Sequence, residues 1–175
     1  MVIIVMGVSG AGKTVIGSKL AETLGYQFAE GDSFHSAKNV KKMRSGMPLT
    51  DEDRWPWLQA MAESIDRWRA TGENAVLACS ALKKVYREIL MGGRDDVVAV
   101  HLRGSHGLIA GRLSDRQHEY MPTTLLQSQF DALEEPGADE NVLGVDIALE
   151  PEVIVSDIVT ALTARGFLRP SDSPR

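Results

Sequence analysis

The segment Gly7-Val8-Ser9-Gly10-Ala11-Gly12-Lys13-Thr14 satisfies every fixed position of the pattern G-x-x-x-x-G-K-[ST]. Its chemistry is phosphate binding. The glycines let the backbone turn its N–H groups inward around phosphate oxygens. The Lys13 amine can reach the β- and γ-phosphates, and the Thr14 hydroxyl can bind Mg²⁺. A glycine-rich turn that merely caps a helix is the bland alternative. The context argues against it, because an apolar run leads straight in and a helical pattern leads straight out.

Other residues could serve a phosphate acceptor. Asp32 follows a short strand pattern, and the carboxyl ends of strands line the ligand crevice of a parallel sheet. There it could orient an acceptor hydroxyl or take its proton, or simply cap the following helix. His35 is close by in sequence. Arg54 could grip an anionic substrate by a bidentate contact, or form a solvated ion pair with Asp51 or Asp53. Ser80 is expected at a strand end and helix start, a place suited to anions. Lys83 and Arg87 are spaced to share a helix face, which could equally be a solvated basic face with Lys84. Arg112 and Arg116 flank an irregular stretch. They could close over ATP and neutralise charge on the transferring group, or merely end a surface helix.

These residues need elements to position them. Val2–Met6 and Ala75–Cys79 are apolar runs of the kind buried on both faces of a parallel sheet. Tyr26–Glu30, Val97–Leu102 and Val142–Ile147 read as further strands. Helical spacing predicts helices over Lys13–Leu24, Ser33–Ser45, Thr50–Ala70, Ala81–Met91, His106–Leu113, Thr124–Leu133 and Glu152–Ala164. Gly25 stops the first, and Thr50 or Asp51 can cap the third. Strands alternating with helices predict an α/β domain: a five-stranded parallel sheet with helices on both faces. Residues 1–168 form one domain in this reading. Its mobile parts are about 33–70 and about 115–123, and 169–175 form a Pro- and Ser-rich, disordered tail.

The 175-residue chain carries a net charge of −5, with 43% apolar and 25% charged residues. The dispersed cations argue against a nucleic-acid partner. One cysteine, Cys79, gives no intramolecular disulfide and reads as a buried structural thiol. No apolar run is long enough to span a membrane, so a cytoplasmic location is expected by elimination. A GTPase would need switch segments and N-K-x-D, and a motor or AAA-type ATPase normally needs a longer chain. The third strand, Ala75-Val76-Leu77-Ala78-Cys79-Ser80, lacks the terminal Asp of a Walker B. Small metabolite kinases tolerate that, since Mg²⁺ keeps several waters.

The sequence resembles the small P-loop gluconate kinases. The resemblance is carried by Gly7–Thr14, Gly31-Asp32 with His35, Asn39, Lys42-Met43, Gly46, Pro48-Leu49 and Asp51-x-Asp53-Arg54 with Pro56-Trp57-Leu58. It continues in Cys79-Ser80-Ala81-Leu82-Lys83-Lys84, Tyr86-Arg87, Arg112-Leu113, Gln129-Phe130, Leu133-Glu134, Pro136 to Glu140, and Asp146. It implies ATP-dependent phosphorylation of D-gluconate at its terminal hydroxyl. It also implies a nucleoside-monophosphate-kinase-like fold with a lid, and a homodimer. Asp32, His35, Arg54, Lys83 and Arg87 become the implied gluconate pocket, while Arg112 and Arg116 become lid or adenosine-side residues. Where the family carries Gly-His-Phe in the lid, this chain has His118-Glu119-Tyr120, so no lid-histidine role passes to His118. Two alternatives stand beside this reading: a P-loop kinase of another sugar acid, and a nucleotide-binding regulatory protein without catalysis.

Overall fold

A computed structural model of the chain describes residues 1–114 and 123–169. Residues 115–122 of the expected lid, with Arg116 and His118, and the tail from 170 onward lie outside the described residues.

The strands are β1 (Val2–Met6), β2 (Gln27–Glu30), β3 (Ala75–Ala78), β4 (Val97–Arg103) and β5 (Val142–Asp146). The helices are α1 (Lys13–Leu24), α2 (Ala37–Arg44), α3 (Asp51–Thr71), α4 (Lys84–Met91), α5 (His106–Ser114), α6 (Thr123–Ala132) and α7 (Pro151–Ala164). The strands form one parallel sheet in the order β2-β3-β1-β4-β5. Val2 of β1 registers with Ala75 on one side and Val97 on the other.

All of β1 is buried, and its alternate residues serve two cores. Ile3 and Val5 join Leu20, Ile158 and Leu162 on the face that carries α1 and α7. Val2, Ile4 and Met6 join Leu58, Met61, Ile65 and Leu90 on the face of α3 and α4. Period-two alternation in a strand covered on both sides therefore reads as one continuous apolar run. Among the described residues no helix is long and apolar enough to cross a membrane.

Two helix starts differ from expectation. The Ser33–Ser45 pattern divides into a 3₁₀ turn at Gly31–Phe34 and then α2. His35 is extended between them, and the Ser36 side chain accepts the Asn39 N–H as the true N-cap of α2. The helix predicted from Ala81 begins only at Lys84, because Ala81 adopts φ 43° and Lys83 is extended. The third helix starts as expected. Thr50 and Asp53 close a reciprocal capping box at its first turn.

Candidate active site

The phosphate loop leaves the C-terminal end of the central strand. Gly7 has φ 144°, and a Cβ there would stand 2.9 Å from the Leu102 carbonyl oxygen. Only glycine fits that approach without displacing β4. The Gly7 N–H donates to the Ser80 carbonyl at 3.3 Å, which ties the loop to the end of β3. Ala11 N–H donates to Val8 O, and Lys13 Nζ donates to the same carbonyl at 3.0 Å. Burial pushes the Lys13 ammonium below its ordinary pKa, while the negative charges of Asp32 and Glu30 oppose the shift. The Lys13 charge is thus set in a low-dielectric cradle with Asp32 in its field.

Asp32 lies in the 3₁₀ turn after β2, with its side chain 85% exposed. Capping is not its task, because Ser36 caps α2. Gly31 allows this turn to press against β3, since a Cβ at Gly31 would meet the Ala78 carbonyl at 2.6 Å. Trp57 of α3 fixes the turn from the other side, donating from Nε1 to Gly31 O at 2.7 Å. The His35 ring stacks on Trp57 with centroids 4.4 Å apart and planes 11° apart. Its Nε2 is 4.0 Å from the Asp32 carboxylate. Its Nδ1 is buried with no hydrogen-bond partner among the described residues. Burial lowers the His35 pKa and outweighs the opposing Asp32 charge, which favours the neutral imidazole.

Arg54 donates to the Leu49 carbonyl at 2.6 Å and lies 3.7 Å from Asp51. Lys83 grips both oxygens of Asp51 at 2.9 and 2.8 Å. Tyr86 also donates its hydroxyl to Asp51. The Lys83 and Arg54 cations lie 5.6 and 6.0 Å from the Tyr86 ring centroid. Hydrogen bonding to Lys83 first, and to Tyr86 next, holds the Asp51 carboxyl below the usual range. Arg54 and Lys83 therefore meet on one carboxylate, although they lie on different elements.

Three expectations change here. Arg87 does not share an exposed face with Lys83. Its side chain is 1% exposed, and it donates to Glu140 at 2.5 and 3.0 Å and to the carbonyls of Ala81 and Leu82. Arg87 is a buried brace for the 80–84 loop, and its guanidinium is engaged by the protein itself. Ser80 stands four positions before α4 and not at its N-terminus, and its carbonyl accepts from Gly7. Arg112 is not a free helix end, since it donates to the Ile147 carbonyl at 2.6 Å and so joins α5 to the turn after β5. Arg116 lies outside the described residues. Cys79 is buried, as expected, and burial pushes its thiol up to about 12.

The segment 134–140 carries contacts to which no role was assigned from the sequence. The Glu134 carboxylate accepts the first N–H of α4 from Lys84 at 2.6 Å, and Glu134 N–H donates to Leu82 O at 2.9 Å. Asp139 pairs with Lys84 Nζ. A capping carboxylate so distant in sequence leaves no local signal; the resemblance alone had marked these positions. For Mg²⁺, Thr14 is an exposed residue beside the cradle, and its hydroxyl oxygen suits a hard cation that keeps waters. No group of three or more metal-binding side chains exists among the described residues.

Comparison with known proteins gives a consistent result. The family model of an AAA domain matches residues 2–136. Length had argued against an AAA-type ATPase; the matched span runs from β1 to just past α6 and so covers the phosphate-loop core. A gluconokinase of Arabidopsis thaliana is 47% identical over 173 residues, covering 90% of this chain and 90% of that protein. The solved structure of a gluconokinase from Sinorhizobium meliloti 1021 superposes with a TM-score of 0.84 at 41% identity. That match covers 93% of this chain and 91% of the other. The fold alone is shared with shikimate kinase of Aquifex aeolicus, at TM-score 0.60 and 14% identity, covering 95% of this chain and 98% of that one.

Proposed function

This chain belongs to the gluconokinase family, and from that premise we propose that it transfers the terminal phosphoryl group of ATP to the terminal hydroxyl of D-gluconate. The observation that carries the reading is a run of ionisable groups at the mouth of the sheet. Lys13 feels Asp32, Asp32 faces His35, His35 feels Arg54, and Arg54 and Lys83 converge on Asp51. A sugar acid needs what this run offers: cations for its carboxylate and polar partners for its hydroxyls.

The Gly7–Thr14 backbone and Lys13 hold the phosphates, with Arg112 and Arg116 on the adenosine and lid side. Mg²⁺ held through Thr14 would neutralise phosphate charge. Asp32 accepts the hydrogen bond of the acceptor hydroxyl and aims it. Aim is worth more than basicity, because the phosphoryl transition state is loose. His35, held flat on Trp57 beside Asp32, contributes to the sugar pocket. Arg54 and Lys83 provide the positive field for the carboxylate, and Ser80 lines the same strand end. Segment 33–70 moves around the substrates, a homodimer forms, and the enzyme works in the cytoplasm on a small molecule.

A coupled ADP-release assay across gluconate, other aldonates and shikimate tests the proposal. Turnover with gluconate well above the rest is expected. Absence of gluconate-dependent turnover at millimolar substrate would overturn it.

A further inference from the structure

Of the phosphate-loop hydrogen bonds among the described residues, one is accepted by a side chain from a distant part of the chain. Ser9 N–H donates to Gln129 Oε1 of α6 at 2.6 Å, across 120 residues. The other loop bonds described above use backbone carbonyls. The donor is a backbone N–H, so the amide oxygen of Gln129 and not its nitrogen must face it. The contact is close for an N–H···O bond.

The position of Gln129 is itself set from the acceptor side. Five residues later, Glu134 is bound through its backbone to Leu82 and through its carboxylate to Lys84. Its neighbour Phe130 packs against the His106 ring, with centroids 5.3 Å apart. Leu133 N–H closes back on Phe130 O. One short segment therefore touches the phosphate loop with Gln129 and the Leu82–Lys84 loop with Glu134. The two loops carry the donor and the proposed acceptor.

We propose that Gln129 is a positioning residue for phosphoryl transfer. By pinning the backbone at Ser9, it sets the register of the phosphate loop against the acceptor loop. A displacement of about 1 Å between reacting groups can lower the rate by about 10²-fold. Loss of the pin should therefore appear in kcat more than in either KM.

The test uses the full chain. Gln129→Met keeps the length and removes the amide acceptor, whereas Gln129→Glu keeps an acceptor. In Gln129→Met, kcat should fall roughly 10- to 100-fold, with both KM values within about threefold and Tm unchanged. Amide hydrogen exchange at Ser9 should accelerate in Gln129→Met and regain its protection in Gln129→Glu. Wild-type kcat in Gln129→Met, or unchanged Ser9 exchange, overturns the proposal. A general loss of protection together with a lower Tm also overturns it, since that marks a packing role. The kinetic arm rests on the kinase reading above. If the wild type fails to turn over gluconate, that reading falls, and Ser9 exchange alone decides whether Gln129 holds the loop.

Discussion

Arg87→Met separates a buried brace from a substrate ligand. The Arg87 and Glu140 side chains are 1% and 7% exposed and share bonds of 2.5 and 3.0 Å. Removing the guanidinium leaves the Glu140 carboxylate with the Gly137 N–H, at 2.9 Å, as its remaining described donor. It also frees two carbonyls, Ala81 and Leu82, in the loop that leads to Lys83. Breaking a buried pair from one side costs about 3–5 kcal/mol. Total stability for a domain is about 5–15 kcal/mol, so the loss is a large share of it. At about 2–4 °C per kcal/mol for this size, Tm should drop by roughly 6–20 °C. The double variant Arg87→Met/Glu140→Leu should recover part of this, because an apolar pair leaves no orphaned charge.

The same pair predicts a pH signature. The Arg87 hydrogen bond holds the Glu140 carboxyl below its ordinary value of 4.5. A carboxyl lowered in the folded state contributes stability that is fully present above its unfolded pKa and is lost as pH falls through the lower folded value. The acid limb of Tm against pH, below about 4.5, should therefore flatten in Arg87→Met. Differential scanning calorimetry from pH 7 to 3 gives both quantities. A loss under about 1 kcal/mol, as for an exposed pair, would refute the brace. A tenfold rise in the KM for gluconate at unchanged Tm would return Arg87 to the substrate pocket.

Three further outcomes follow from single contacts. Lys13→Ala should lower kcat by roughly 10²–10³-fold or more with little change in Tm, because it deletes charge stabilisation and not core packing; near-normal kcat would misplace the phosphate site. Arg54→Ala should raise the KM for gluconate by about 10-fold or more and that for ATP far less, in line with loss of a charge-assisted contact; steady-state kinetics showing the reverse would remove Arg54 from the acceptor side. Gly31→Ala puts a Cβ 2.6 Å from the Ala78 carbonyl, so urea unfolding should show a loss of about 1–3 kcal/mol, and a variant as stable as wild type would show that the β2–β3 approach is slack.

The phosphate loop was legible because every requirement is local: a buried strand, small residues at fixed spacing, and a helix. The sheet was legible for a related reason, since β1, β3 and β4 are short apolar runs that a parallel sheet buries on both faces. Asp32 could be placed near the loop by topology, because β1 and β2 both flank β3 and strand ends converge on one crevice. The start of α4 was not legible. The apolar spacing of Ala81–Met91 fits a helix throughout, and nothing in a sequence announces that Ala81 will adopt φ 43°.

That one misplaced boundary explains the misreading of Arg87. The i,i+4 rule puts Lys83 and Arg87 on a common face only if both lie within the helix. Lys83 instead precedes it in extended conformation, so its ammonium turns to Asp51 while Arg87 turns inward to Glu140. The two cations are four residues apart in sequence and serve opposite ends: one faces the proposed substrate, and the other holds the loop that carries the first. Glu140 is 53 residues from Arg87, and Gln129 is 120 from Ser9. Neither spacing has a period for a sequence to display. What local pattern can find is the group that does chemistry; what it cannot find is the distant side chain that keeps that group in register. The Arg87 and Gln129 variants measure how much of the activity depends on each.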